Sequence, residues 1–439
     1  MKRPLAAFYG DDFTGSAENL AQFCQRGLRG RLYFSPSNLP SEAEANELDI
    51  IGFAGIARAL APDDMVHEVR PALKAIDALN PLIRQYKICS TFDSAPQVGS
   101  IGKVMELARQ QWPQCALPVL PATPSFGRYT AFSHHFTRYD GEICRLDQNP
   151  ALANHPSTPM KEADLRRHLA EQTSLTASAL TLLDYRALDG GWQQLMTSQT
   201  KGGFTILDAT DEAEMRHAAE LLLRLARQRP MLAIAAQGLA AALGNIWSEQ
   251  LPKRAVLPRG FAGVDRLLVF SGSCSPQTRR QLTCLEAAGG RVLPLDPRHA
   301  LNEPHSAIKG MMKAIAEALK THALVAVATT RMDSDVVDGV ESRRLSEALG
   351  HLFAQLTHAA VTRLSLRRVV FAGGDTSSHT MRQVGAKALE LAAFDATQGG
   401  HLCRLIANEP NVSGLEVFLK GGQIGDDDFF VHAWQGRVK

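Results

Sequence analysis

Short apolar runs separated by amphipathic stretches set the pattern of this chain. Leu5-Ala6-Ala7-Phe8-Tyr9 is apolar throughout, as a strand buried on both faces must be, and the residues beyond it place Leu20, Phe23 and Cys24 at helical spacing. The alternation recurs. Strands are expected at 49–53, 86–89, 116–120, 179–183, 204–208 and 231–235, with helices at 62–79, 101–109 and 161–172. Strands alternating with helices predict a parallel sheet. Residues 251–265 carry Pro252, Lys253, Arg254, Pro258, Arg259, Gly260 and Gly263 with few periodic apolar positions, which reads as a linker. The pattern then resumes with strands at 267–270, 324–328 and 368–372, a helix at 277–288, a helix that runs on through Leu391, and a last strand opening at Val417. The expected fold is therefore α/β, with two domains (1–250 and 266–439) that each hold a mostly parallel sheet flanked by helices.

The chemistry concentrates where strands give way to helices. Tyr9-Gly10-Asp11-Asp12-Phe13-Thr14-Gly15-Ser16 is such a turn, and in open parallel sheets ligands bind at these carboxyl ends. Asp11 or Asp12 can bind a polyol hydroxyl, hold a metal or accept a proton, although Asp, Thr and Gly also suit an ordinary helix start. The third strand leads into Ser90-Thr91-Phe92-Asp93-Ser94, rich in hydroxyls. The fourth leads to Arg128, whose planar guanidinium suits a carboxylate or phosphate. His134 and His135 follow; neighbours on a strand point to opposite faces, which argues against one shared metal. In the second half, Ser271-Gly272-Ser273-Cys274-Ser275 and Gly373-Gly374-Asp375-Thr376 are turns that can present hydroxyl and backbone donors to phosphate, and Asp375 can hold Mg²⁺. Lys420-Gly421-Gly422 closes the last strand.

Composition narrows this picture without redirecting it. At 439 residues the chain suits two or three α/β units. Its 47 Lys and Arg against 45 Asp and Glu give no electrostatic case for nucleic acid or a membrane surface. Seven scattered cysteines without a Cys-x-x-Cys pair argue against structural zinc and a disulfide framework, so a reducing, cytoplasmic setting is expected. The chain has no Gly-x-x-x-x-Gly-Lys-Ser/Thr loop.

Taken in order, Asp11-Asp12-Phe13-Thr14-Gly15, Pro121-Ala122 with Gly127-Arg128, residues 156–160, Ser271-Gly272-Ser273-Cys274-Ser275, Gly373-Gly374-Asp375-Thr376 and Lys420-Gly421-Gly422 resemble the four-carbon acid sugar kinase family. The resemblance spans nearly the whole chain. It implies phosphorylation of threonate, erythronate or 3-oxo-tetronate by ATP, with the sugar acid held by the N-terminal domain, ATP by the C-terminal domain and the active site in the cleft between them. Carried over, ATP meets Ser271, Ser273, Gly373, Gly374, Asp375, Thr376, Gly421 and Gly422, with Mg²⁺ on Asp375. The substrate meets Asp11, Asp12, Asp93, Ser94 and Arg128, and Asp12 or Asp11 accepts the proton. A homodimer is one assembly open to it. Where family members commonly carry Asp-Ser-Thr-x-Arg-Gly, this chain has Asp93-Ser94-Ala95-Pro96-Gln97-Val98-Gly99, longer by one and without the arginine. A sugar-acid or nucleotide sensor and an aspartate-dependent phosphohydrolase are the rival readings.

Overall fold

The computed structural model describes residues 3–155, 157–200, 202–252, 254–329, 340–394 and 400–438. Two compact units divide the chain: Met1–Gly30 with Ser35–Ala255, and Arg31–Phe34 with Val256–Lys439. The placement of Arg31–Phe34 has no counterpart in the sequence reading, which assigned everything before residue 251 to one domain.

Strands of the first half are β1 (Ala6–Gly10), β2 (Gly30–Tyr33), β3 (Ile50–Ala54), β4 (Ile83–Lys87), β5 (Pro118–Leu120), β6 (Arg128–Ala131), β7 (His134–Tyr139), β8 (Glu142–Arg145), β9 (Ala177–Leu180), β10 (Phe204–Leu207) and β11 (Ala233–Ala235). The main sheet of the first unit runs β3-β1-β4-β11-β5-β10-β9, and every neighbouring pair is parallel. β1 and β3 are buried along their whole length, which is why their sequences read as continuous apolar runs. β6, β7 and β8 form a separate antiparallel sheet. On β7, His135 is buried and His134 only half-buried, the alternation expected of strand neighbours.

In the second unit, β12 (Gly260–Ala262) is followed by β13 (Leu267–Ser271), β14 (Arg291–Pro294), β15 (Leu324–Ala328), β16 (Arg368–Ala372), β17 (Ala386–Ala393), β18 (Leu402–Ala407), β19 (Glu416–Lys420) and β20 (Gly436–Val438). β14-β15-β13-β16-β19 is parallel, whereas β18 and β17 continue the sheet in antiparallel fashion. Leu32 and Tyr33 of β2 then pair antiparallel with Leu389 and Ala388 of β17. Two expectations need correcting. The helix expected to reach Leu391 ends at Gln383, because Gly385 takes a left-handed φ of 78° and the chain turns into β17. The stretch read as a linker contains β12, which pairs with β20. The core of this unit gathers Val269, Ala326, Val370 and Phe418 from adjacent strands around Leu282, Phe429 and Phe430.

Each parallel sheet has a point where the path reverses. From β1 the chain moves to β3 on one side and then to β4 on the other; from β13 it moves to β15 on one side and β16 on the other. Such switch points open a crevice at the carboxyl ends of the strands.

Candidate functional site

At the β1/β4 switch point, β1 delivers Asp11 and Asp12. Asp11 is almost fully buried and accepts two bonds from Arg58, 2.6 Å from Nη2 and 3.1 Å from Nε. The same Nη2 donates to Asp12 Oδ1 at 2.8 Å. Asp12 is also the N-cap of the helix Phe13–Cys24, accepting from the Gly15 N–H at 3.2 Å and the Thr14 hydroxyl at 2.6 Å. Burial is the largest influence on Asp11 and raises its pKa, the charge of Asp12 adding to the effect; Arg58 and Lys87 offset only part of it. Burial also opposes ionisation of Asp12, but Arg58, Lys87, Thr14 and Gly15 outweigh it and hold its carboxyl below the usual range. Of the two adjacent carboxyls, Asp12 is therefore the one whose ionised form its surroundings favour more.

Arg58 comes from the short turn Ala57–Ala59 after β3, and its N–H donates to Asp11 O at 3.1 Å. Gly99, at φ 60°, packs on it so closely that a Cβ there would lie 2.6 Å from the Arg58 carbonyl oxygen. The loop that lacks the family's arginine thus lies against an arginine supplied from β3. Asp93 accepts from the Thr91 hydroxyl at 2.7 Å and acts electrostatically on both Arg58 and Arg128. Arg128 donates through Nη1 to the carbonyls of Phe126 and Gly127, while its Nε is buried with no partner among the described residues. Asp11, Asp12, Asp93 and Arg128 therefore share one neighbourhood. Ser94 stands apart: it is buried, with its hydroxyl held by His168 Nε2 at 3.2 Å and by Gln172 Nε2 at 3.0 Å.

The β13/β16 switch point is built differently, from small residues. The turns after β13, β16 and β19 lie side by side because those strands are neighbours. A Cβ on Gly272 would sit 2.1 Å from Thr376 Oγ1, and one on Gly422 would sit 2.7 Å from Ser273 Oγ. Only glycine allows these turns to close on one another. Gly373, at φ 121°, leads into the helix Gly374–Gln383 without any side-chain cap, so no side chain at the cap position satisfies its first N–H groups. Ser271 Oγ is buried and lacks a partner among the described residues. The Thr278 hydroxyl lies within hydrogen-bond reach of both Ser273 Oγ, at 3.0 Å, and Gly422 O, at 2.9 Å, and so ties two turns together. Lys420, fully buried, donates to the carbonyls of Gly421 at 2.8 Å and Gly422 at 3.2 Å. Burial pushes its pKa down to about 7. The side chain of Asp375 lies outside the described residues, as do Pro156, Thr330 and Arg331; among the described residues no group of three or more His, Cys, Asp or Glu could hold a metal ion.

An orphaned hydroxyl, an uncapped helix and turns too tight for a Cβ suit the phosphates of a nucleotide. Residues 268–430 match the family described as "Nucleotide-binding C-terminal domain", and residues 6–243 match "Sugar-binding N-terminal domain". A Paraburkholderia graminis protein, 3-oxo-isoapionate kinase, is 32% identical over 448 residues, covering 99% of this chain and 95% of its own. The chain belongs to the four-carbon acid sugar kinase family. Another relative, the 3-oxo-tetronate kinase of Pectobacterium atrosepticum, is 26% identical and covers 96% of this chain and 97% of its own. As a member of this kinase family the protein is a phosphotransferase with a nucleotide-binding domain. Solved structures from Salmonella typhimurium LT2 and Haemophilus influenzae share the fold, with TM-scores of 0.77 and 0.70 at 20% identity, covering 98% and 97% of this chain and 98% of each of theirs. Among the described residues no helix is long and apolar enough to cross a membrane.

Sequence reasoning missed Arg58, Lys87 and Thr278. Lys87 had left a signal, a lysine inside an otherwise buried strand. Arg58 had left none, since only the fold returns it to β1.

Proposed function

We propose that this kinase transfers the terminal phosphoryl group of ATP, with Mg²⁺, to a hydroxyl of a short sugar acid, and that a 3-oxo acid of the tetronate or isoapionate kind is preferred to threonate or erythronate. The observation that carries the acceptor assignment is the ionised Asp12 carboxylate, oriented by Arg58 at a switch point within the unit that matches a sugar-binding domain. Asp12 orients the acceptor hydroxyl and takes its proton as the oxygen–phosphorus bond forms. Asp11 keeps Arg58 in place. Arg128, with its unsatisfied Nε, receives the acceptor's carboxylate, and Asp93 lines the same neighbourhood.

In the second unit, Ser271, Ser273, Gly373, Gly374, Thr376, Gly421 and Gly422 receive the nucleotide phosphates through hydroxyl and backbone donors. Mg²⁺, held through Asp375, would neutralise phosphate charge there. Release of ADP in the presence of 3-oxo-tetronate, 3-oxo-isoapionate, threonate and erythronate tests this reading. Turnover is expected with an oxo acid and none without an acceptor. Phosphate release without an acid would favour hydrolysis, and ligand binding without ADP release would leave only a sensor.

A further inference from the structure

Lys87 is the last residue of β4 and is 2% exposed. In register it lies between Gly10 of β1 and Ala235 of β11, and its carbonyl accepts from the Asp11 N–H at 3.1 Å. Its ammonium makes no hydrogen bond and no ion pair among the described residues. A lysine whose stem is this deeply buried, and whose ammonium meets no protein partner, presents that ammonium to whatever enters the crevice.

The direction it points is fixed by Gly15. The position a Cβ would take on that glycine is 2.8 Å from Lys87 Nζ and 2.4 Å from Asp12 Oδ1. Laid end to end, those two legs put the ammonium no more than about 5.2 Å from the carboxylate oxygen, yet the two form no ion pair. Two hydrogen bonds of roughly 2.6–2.9 Å through one shared oxygen span such a gap. The gap exists because residue 15 has no side chain, although alanine would favour the helix by about 1 kcal/mol.

We propose that Lys87 is a catalytic residue: its ammonium and the Asp12 carboxylate grip the same acceptor hydroxyl, Lys87 donating to the oxygen while that oxygen donates to Asp12. The assignment rests on the acceptor reading given above. As the proton passes to Asp12, the oxygen's electron pair forms the new bond to the terminal phosphorus of a nucleoside triphosphate. The bond from that phosphorus to the bridging oxygen breaks, and the nucleoside diphosphate leaves with its electron pair. Lys87 stabilises the negative charge that builds on the attacking oxygen and gives up no proton itself. Preorganised donors of this kind contribute most where charge develops in the transition state.

The test is steady-state kinetics on the full-length Lys87→Met enzyme, with an acceptor acid that the wild type turns over. A fall in kcat of roughly 100-fold or more is expected, by analogy with the loss of one transition-state donor, with the KM for ATP unchanged. Methionine keeps the buried stem, so the thermal midpoint stays close to that of the wild type and the loss of kcat does not come from a folding defect. In Lys87→Ala, added ethylammonium restores part of kcat and tetramethylammonium, which has no N–H, restores none. Gly15→Ala keeps both charges but fills the space between them: a methyl group there pushes Asp12 Oδ1 and Lys87 Nζ off the acceptor oxygen and lowers kcat at least about tenfold. Wild-type turnover by either Lys87→Met or Gly15→Ala overturns the proposal. If Asp12→Asn is inactive while Lys87→Met is active, only the lysine assignment falls; if both turn over normally, the acceptor reading falls with it.

Discussion

The two switch points use the same topology for opposite purposes. At β1/β4 the crevice is made of charged side chains: two carboxylates, a guanidinium and an ammonium, on two buried residues, Asp11 and Lys87, and two half-buried ones, Asp12 and Arg58. At β13/β16 it is made of glycine turns, hydroxyls and an uncapped helix end, with Lys420 folded back onto the turn carbonyls. The difference follows from what each must recognise. A phosphate chain is a fixed polyanion that backbone N–H groups can read without moving a proton. A sugar hydroxyl is neutral, and making it a nucleophile takes groups whose charges are set in advance. One site is defined by which side chains are present, the other by where side chains are absent.

That contrast can be broken at several places. The largest effect belongs to Asp12→Asn: kcat should fall by about 1,000-fold or more while calorimetric ATP affinity stays within twofold, since the change removes the proton acceptor and leaves the other unit intact. Loss of ATP affinity in that variant would erase the division of labour. Arg58→Met leaves Asp11 buried without its partner and should cost about 3 kcal/mol, lowering the first thermal transition by roughly 6–12 °C. Gly272→Ala forces a methyl group onto Thr376 and should raise the KM for ATP roughly 10- to 100-fold, with acceptor KM little changed. If it instead altered acceptor KM alone, the glycine turns would not be the nucleotide cradle.

The smallest effect is a fraction of a proton at Lys420. Its pKa near 7 leaves it largely neutral at pH 8, and phosphates nearby would favour the ammonium, so nucleotide binding should take up protons. Calorimetric enthalpies in buffers of different ionisation heat should differ for the wild type and coincide for Lys420→Met. The same shift bears on stability. Between about 7 and the ordinary lysine value of 10.5 the unfolded chain holds more protons, so this residue's contribution rises with pH across that window.

The strand-to-helix turns could be found in the sequence because both signals are local: an apolar run, then small and polar residues. Asp11, Asp12, Gly373 and Gly422 were visible for that reason. Arg58 was not, because its partnership spans a separation of 47 residues and depends on β3 lying beside β1. The β17 strand was missed for a different reason. Ala386-Lys387-Ala388-Leu389-Glu390-Leu391 consists of strong helix formers, and only pairing with β18 and β2 overrides that preference.

That pairing also has a consequence for synthesis. Arg31 hydrogen-bonds Glu390 across a separation of 359 residues, so β2 leaves the ribosome long before its partner β17 exists. Until β17 arrives, the side of this strand that pairs with Leu389 and Ala388 is an open edge. A C-terminal piece begun at Val256 would meet the converse problem, exposing the β17 ladder that Leu32 and Tyr33 otherwise cover. The nucleotide-binding half is thus better expressed with its distant strand than cut at the obvious boundary.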